Sequence, residues 1–354
     1  MKAKLTWLIV FLFIIAMFSM ITACEQPAAD PDPGDVDDPD NDVAPPPDDR
    51  PVEFLSIVTG GTGGVYFPYG GGMSTVINRH IPYLRATAEV TGASVENTRM
   101  ITEQTAELAL IMNDVGFMAY NGEGEQFEGD PQPIRTVFTM YPNLFHMVVL
   151  ADSDIYNVSD IVGRTASVGA PGSGTEFKTN LVLGALGITY DDFDVFRLPF
   201  SETGDDLRDG RIDIGFWSVA APTSSIMEIT ATRDIRIVAY TVEEIETLTT
   251  EYPFYSGFEM PADMYPGQDE PVLLPSVWNS VICHADYPEE YVYDITKAIF
   301  ENIDHLIAIH AYARMTTPEN TVEHAVIPLH PGVIKYFEEI GVDVPDHLVP
   351  PELQ

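Results

Sequence analysis

Beyond residue 50 the chain alternates short apolar runs with longer stretches of helical period, joined by turns of small residues. Phe54 to Thr59 reads as a strand emptying into Gly60-Gly61-Thr62-Gly63-Gly64, with a helix from about Tyr66 to Asn78. Leu84 to Val90 is the next strand, Ser94 to Glu107 a helix, and Leu108 to Met112 a short strand. Phe145 to Leu150 is continuously apolar and suits a crossing into a second lobe. That lobe would hold strand Thr165 to Gly169, helix Ser173 to Leu186, strand Ile212 to Phe216, a helix from Pro222 and strand Ile235 to Tyr240. Ser276 to Cys283 suits the return crossing, and helices Pro288 to Ala311 and Pro318 to Ala325 would pack back on the first lobe. Strand, turn and helix in repetition predict an α/β fold with largely parallel sheets. Some 300 residues from Val52 onward is the size at which one core splits in two.

The pattern changes at the start of the chain. Two lysines, Lys2 and Lys4, precede an apolar run from Leu5 to Ala23 that closes on Thr22-Ala23-Cys24. This has the parts of an export signal, charged, apolar and then small. The run is also long enough to span a bilayer core of about 30 Å, so a transmembrane anchor is the second reading. From Glu25 to Arg50 the chain is mostly Asp, Pro, Ala, Gly and Val, with Arg50 the one cation. Such a segment has little apolar surface to offset chain entropy and predicts an extended tether. The organisation expected is therefore a leader at 1–23, a tether at 24–51, a first lobe at 52–150, a second at 151–270, and a return at 271–354.

Net charge is −38, and past the leader lysine recurs only at Lys178, Lys297 and Lys335. That excludes a basic nucleic-acid footprint, so no nucleic-acid partner is expected. Cys24 and Cys283 are the only cysteines, too few for a disulfide framework or a thiolate metal site. The nearest histidines, His305 and His310, lie five apart and so on different helix faces, not at a metal spacing. Neither metal nor cofactor is expected.

Three times a strand empties into small residues that open a helix: Thr59 to Gly64, Ala170 to Thr175, and Ser218 to Thr223. Helix starts bind anions through free N–H groups, and glycine lets a ligand approach the backbone. In open α/β sheets such loops gather beyond the carboxyl ends of the strands. Each loop also has a plainer role, because Ser173-Gly174-Thr175-Glu176 fits a capping box and Pro222 fits the first helical position. Enzyme motifs fail: Pro171 and Thr175 flank Gly172-Ser173-Gly174 where a nucleophile elbow needs glycines. The run Gly60 to Gly64 lacks both the last glycine of a dinucleotide fingerprint and the Lys-Ser/Thr of a phosphate loop.

Six stretches, taken in order, carry a family likeness. Val58-Thr59-Gly60-Gly61-Thr62-Gly63-Gly64-Val65-Tyr66, Thr91-Gly92-Ala93-Ser94-Val95-Glu96-Asn97 and Ser167 to Glu176 resemble the TAXI family, the solute receptors of tripartite ATP-independent periplasmic (TRAP) transporters. Tyr252-Pro253-Phe254-Tyr255, Tyr265 to Asp269 and Ile327 to Gly332 agree, while the family's Gly-Leu-Pro-Thr stands here as Ala220-Ala221-Pro222-Thr223. The resemblance implies a two-lobe, periplasmic-binding-protein-like fold of type II-like form, hinged between lobes, that closes on a ligand and docks on a sodium-driven permease. It implies no enzymatic activity, and family ligands are typically glutamate-like amino acids or dicarboxylates. The ligand-binding positions it points to are Gly60, Gly61, Thr62, Gly63, Gly64, Tyr66, Ser94, Asn97, Asn113, Gly172, Ser173, Gly174, Thr175, Ala220, Pro222 and Thr223. Arg99 and Arg164 are the arginines that could instead clamp a carboxylate.

The leader resembles a lipoprotein signal, with Cys24 as the lipid-bearing residue that ties the chain to the bilayer. The address implied is the outer face of the cell membrane, or its periplasmic side in a cell with two membranes. A carboxylate-sensing receptor that contacts a signalling protein is the alternative.

Overall fold

The architecture hangs on two long strands. In the computed structural model, which describes residues 50–354, β4 (Ile134–Leu150) and β10 (Val272–His284) run antiparallel from Ser276 opposite Leu144 to His284 opposite Ile134. Cys24, the apolar leader and the acidic segment up to Asp49 lie outside the described residues. Nearly every residue of β4 is buried, as befits a central strand covered on both faces.

On one side β10 pairs with β3 (Leu108–Met112), which neighbours β1 (Glu53–Val58) and then β2 (Leu84–Glu89), both parallel to their neighbours within the lobe. On the other side β4 pairs with β7 (Ile214–Val219), followed by β5 (Thr165–Ser167) and β6 (Asp194–Phe196). The order is β2-β1-β3-β10-β4-β7-β5-β6, with β8 (Ile235–Ile237) beside β4 and β9 (Ser256–Met260) beside β10. Each lobe thus reads second, first, third strand and then the crossing pair. This is the two-lobe α/β arrangement the sequence pattern predicts.

The helices are α1 (Tyr66–His80), α2 (Ser94–Thr102), α3 (Asn113–Asn121), α4 (Gly174–Ala185), α5 (Phe200–Arg208), α6 (Ser224–Thr230) and α7 (Val242–Glu251). After the return crossing come α8 (Glu289–Glu301), α9 (Ile303–Ile309), α10 (Pro318–His324) and α11 (Pro331–Ile340). Helix α8 packs on α1 and α11, and α9 on α1, which returns the chain's end to the first lobe.

Three expectations shift. The crossing strand begins at Ile134 rather than Phe145, because Arg135, Thr136, Thr139 and Asn143 break the apolar run while lying inside: Arg135 forks onto Glu352 at 2.9 and 2.8 Å. The helix from Ser94 ends at Thr102, where Gln104 turns to φ +53° and Thr105 N–H donates to Met100 O. The long helix from Pro288 breaks at Asn302 into α8 and α9.

Asn97, fully buried on α2, ties the first lobe together. Its Nδ2 donates to Thr59 O (2.7 Å), Leu110 O (2.8 Å) and Val58 O (3.3 Å), and its Oδ1 accepts from Thr91 Oγ1 (2.6 Å). One amide thereby joins β1, β3 and the loop after β2.

Candidate functional site

The lobes touch across their cleft. Glu96 N–H donates to Gly172 O at 3.2 Å. Gly63 O accepts from Thr223 Oγ1 (3.1 Å), Ser224 Oγ (3.3 Å) and Ser225 N–H (3.4 Å). His310 Nε2 reaches Pro222 O at 3.3 Å. Behind these contacts lies a cavity of about 460 Å³, lined by residues of both lobes.

Three helix starts line it. Gly64, Val65 and Tyr66 open α1, Ala93 and Ser94 open α2, and Ser173, Gly174 and Thr175 open α4. No side chain caps α1 or α2; in the first turn of α2 the Glu96 N–H is taken by Gly172 O across the cleft, which leaves the N–H groups of Ser94 and Val95 there. Ala93 sits at φ +85°, an uncommon setting for a residue with a side chain, braced by Thr91 Oγ1 accepting from its N–H (3.1 Å). At α4 Ser173 Oγ accepts from Glu176 N–H (3.0 Å) as the capping box requires, while the Glu176 carboxylate accepts from Gly172 N–H (2.9 Å) instead of closing on Ser173.

The rest of the polar lining is uncharged. Tyr66 donates its hydroxyl to Asn279 Oδ1 (2.5 Å), and burial pushes its pKa up, so it stays neutral. Asn143 donates Nδ2–H to Ser218 O (3.0 Å), and its Oδ1 has no partner among the described residues. Ser94 Oγ accepts from Met112 N–H (3.1 Å), and Thr175 Oγ1 from Ser218 N–H (3.4 Å). Among the described residues lining the cavity there is no Lys, Arg, His, Asp, Glu or Cys.

Residues 57–341 match the model of the NMT1-like family. The chain belongs to the NMT1-like family. Among solved structures it is similar to the periplasmic aliphatic sulphonate binding protein SsuA from Escherichia coli, at 13% identity and TM-score 0.44, covering 81% of this chain and 83% of that one. It is similar to the alkanesulfonate-binding protein SsuA from Xanthomonas axonopodis pv. citri bound to MOPS, at 13% identity and TM-score 0.45, covering 82% and 92%. A third likeness is to a structure from work on glutathione import via GshT and the cystine importer TcyBC of Streptococcus mutans, at 12% identity and TM-score 0.46, covering 76% and 98%.

In this NMT1-like chain, eight of the positions picked out by sequence line the cavity: Gly60, Gly61, Gly64, Tyr66, Ser94, Ser173, Gly174 and Thr175. The other eight do not. Gly63, Gly172, Pro222 and Thr223 form the contacts between lobes described above, and Thr62 lies off the lining. Asn97 is committed to the backbone of the first lobe, and Asn113 gives Nδ2–H to His324 O (2.8 Å) and accepts from Ser280 Oγ (2.6 Å). Ala220 is buried in the core. Pro222 does not start a helix, since Thr223 is the N-cap of α6 and the Ala221–Pro222 bond is cis.

Neither Arg99 nor Arg164 lines the cavity. Arg164 pairs with Asp154 at 2.8 Å, and Arg99 faces a neighbouring groove with Glu176 and Arg197. Sequence reasoning missed Met112, Asn143 and Phe200, which sit in apolar surroundings with no local motif.

A buried charge cluster follows the lining residues along three elements. Asp114 comes two residues after Met112, Phe145 two after Asn143, and Lys178 three after Thr175. Lys178 is fully buried, and its Nζ lies 4.9 Å from the Tyr255 ring and 5.4 Å from the Phe145 ring with no hydrogen-bond partner among the described residues. Burial pushes its pKa down to about 7, against the pull of Asp114. Burial raises Asp114, which accepts from Tyr255 OH at 2.8 Å, and holds His146 down at about 4.

Two predictions follow from this geometry. A Cβ on Gly174 would stand 2.5 Å from Ser94 Oγ and 2.9 Å from Ser94 Cβ, across the cleft. Gly174→Ala should therefore wedge the lobes apart, giving a larger radius of gyration in solution scattering than wild type; superimposable profiles would contradict the wedge. The second concerns pH. Because Lys178 ionises at about 7 when folded and near 10.4 when unfolded, the unfolded chain binds more protons between these values. Its contribution to stability is thus gained as pH rises through that window and lost as pH falls through 7. Urea midpoints at pH 7.5 and 9.5 should rise more for wild type than for Lys178→Met, and equal rises would show that the lysine is not held neutral.

Proposed function

We propose that this NMT1-like protein is an extracytoplasmic solute receptor of the TAXI type, binding a small carboxylate and delivering it to a sodium-driven TRAP permease. The observation that carries this reading is the convergence of helix starts from both lobes on one cavity with no charged side chain among its described lining residues. N–H groups at helix starts bind an anion without a cationic side chain, each charge-assisted bond contributing about 1.5 to 3 kcal/mol. The protein's field should repel anions, but beyond a Debye length of about 8 Å it is largely screened, and local donors decide. Three of the six motifs that resemble TAXI receptors, Val58 to Tyr66, Thr91 to Asn97 and Ser167 to Glu176, lie on the loops that supply these donors. With no acid, base or cysteine among the described lining residues, the site suits capture and release rather than turnover.

Closure follows from the same contacts. A ligand touching both lobes stabilises the state in which Gly63 O and Gly172 O are bonded across the cleft. Release to a permease then requires those few hydrogen bonds to break.

Mass spectrometry of ligand retained by gently purified protein identifies the class, and calorimetric titration with carboxylates, glutamate and dicarboxylates included, measures it. Thr175→Glu, which sets a fixed negative charge at the start of α4, should weaken carboxylate binding at least tenfold with the fold intact by circular dichroism. Arg99→Gln and Arg164→Gln should change it less than threefold. Normal binding by Thr175→Glu together with loss in either arginine variant would replace the helix-start account with an arginine clamp.

Cys24 is the proposed lipid-bearing residue, tethering the receptor to the outer face of the membrane through the acidic segment. A Cys24→Ser protein should lose the lipid mass at its N-terminus by mass spectrometry, and processed Cys24→Ser protein that still partitions with membranes through an unchanged N-terminal mass would remove this part of the reading.

A further inference from the structure

The cavity has one place for an anion and a wall that suits none. The three helix starts abut: a Cβ on Gly60 would stand 3.3 Å from Ala93 Cβ and 3.7 Å from Tyr66 Cβ, and the Gly174 position meets Ser94 as described. The three helix starts are therefore neighbours in the cavity wall. Beside these starts the lining includes the apolar side chains of Met112, Pro199, Phe200 and Val219, with Asn143 and Ser218 as polar members. Phe200 opens α5 in the second lobe and faces the first, since a Cβ on Gly64 would lie 3.2 Å from its ring.

Phe200 is held in place from behind. Its ring centroid is 6.2 Å from that of Trp217, which is fully buried and fixed by an indole N–H bond to Ser225 Oγ (3.1 Å). An aromatic wall braced in this way forms a defined apolar surface rather than a mobile side chain.

Resting on the carboxylate reading, we infer that the ligand is a monocarboxylate with an apolar body, and that Phe200 is the residue that selects it over dicarboxylates. A second carboxylate would lose its water against apolar groups with no cation to hold it. The apolar body of a monocarboxylate instead fills the cavity of about 460 Å³, a size suited to ligands larger than a four-carbon diacid.

The test titrates the full chain and its Phe200→Ala variant with 3-phenylpropionate, succinate, glutamate and 3-phenylpropanamide, following heat of binding. In wild type 3-phenylpropionate should bind at least tenfold tighter than succinate or glutamate. Phe200→Ala should weaken 3-phenylpropionate at least tenfold and move the diacids less than threefold. Tighter binding of succinate or glutamate overturns the inference and leaves the carboxylate reading standing. Equal binding of the amide and the acid overturns the carboxylate reading itself, and binding of none of the four overturns both. Unchanged 3-phenylpropionate affinity in Phe200→Ala removes Phe200 from the selection. Because Trp217 and Ser225 are untouched by the substitution, a matching thermal midpoint for the two proteins separates lost selectivity from lost fold.

Discussion

The pairing of β4 with β10 is the constraint on which the rest depends. Each strand enters one lobe and leaves through the other, so the lobes share two continuous backbones and a ladder running from Ser276–Leu144 to His284–Ile134. A helix start in the first lobe can therefore be set against one in the second with little freedom to slide. Asn143 and Asn279 lie on these strands, and both take part in the polar lining or its support. The ladder is thus hinge and floor together, and its register shift between Trp278 and Ser280 falls beside Asn279.

Glycine and a strained alanine bring the backbone itself to the cavity wall. Gly174 faces Ser94 and Met112 so closely that a methyl group would not fit, which brings the α2 and α4 starts together. Ala93 accepts φ +85° because Thr91 and Asn97 fix the loop on either side of it. Such strain persists only where surroundings over-determine it, and here they do so through an amide with four partners. Stability of the first lobe and shape of the cavity are in this sense one network.

Much of this was legible in the sequence, for a physical reason. Strands β1 and β3 and helices α1 and α4 are contiguous in pattern, with small residues marking each turn, so the loops after them stood out. Helix α5 and strands β6 and β9 did not, because their segments are short, half-buried and polar, and only neighbours across the sheet define them. The same holds for site residues. Gly60, Ser94 and Thr175 announce themselves by turn chemistry. Phe200 and Met112 look like any core residue until the second lobe is placed opposite. Gly63, Gly172 and Thr223, picked out by the same turn chemistry, carry contacts between the lobes.

The site carries no charged side chain, yet a buried lysine and aspartate stand a few residues behind its lining. Removing either from water is costly, and each is pushed toward its neutral form by burial. Lys178 rides on α4 in the second lobe and Asp114 on α3 in the first, so their mutual attraction spans the cleft that closure seals. Lys178 and Asp114 therefore join the hydrogen bonds on Gly63 O and Gly172 O as interactions that link one lobe to the other.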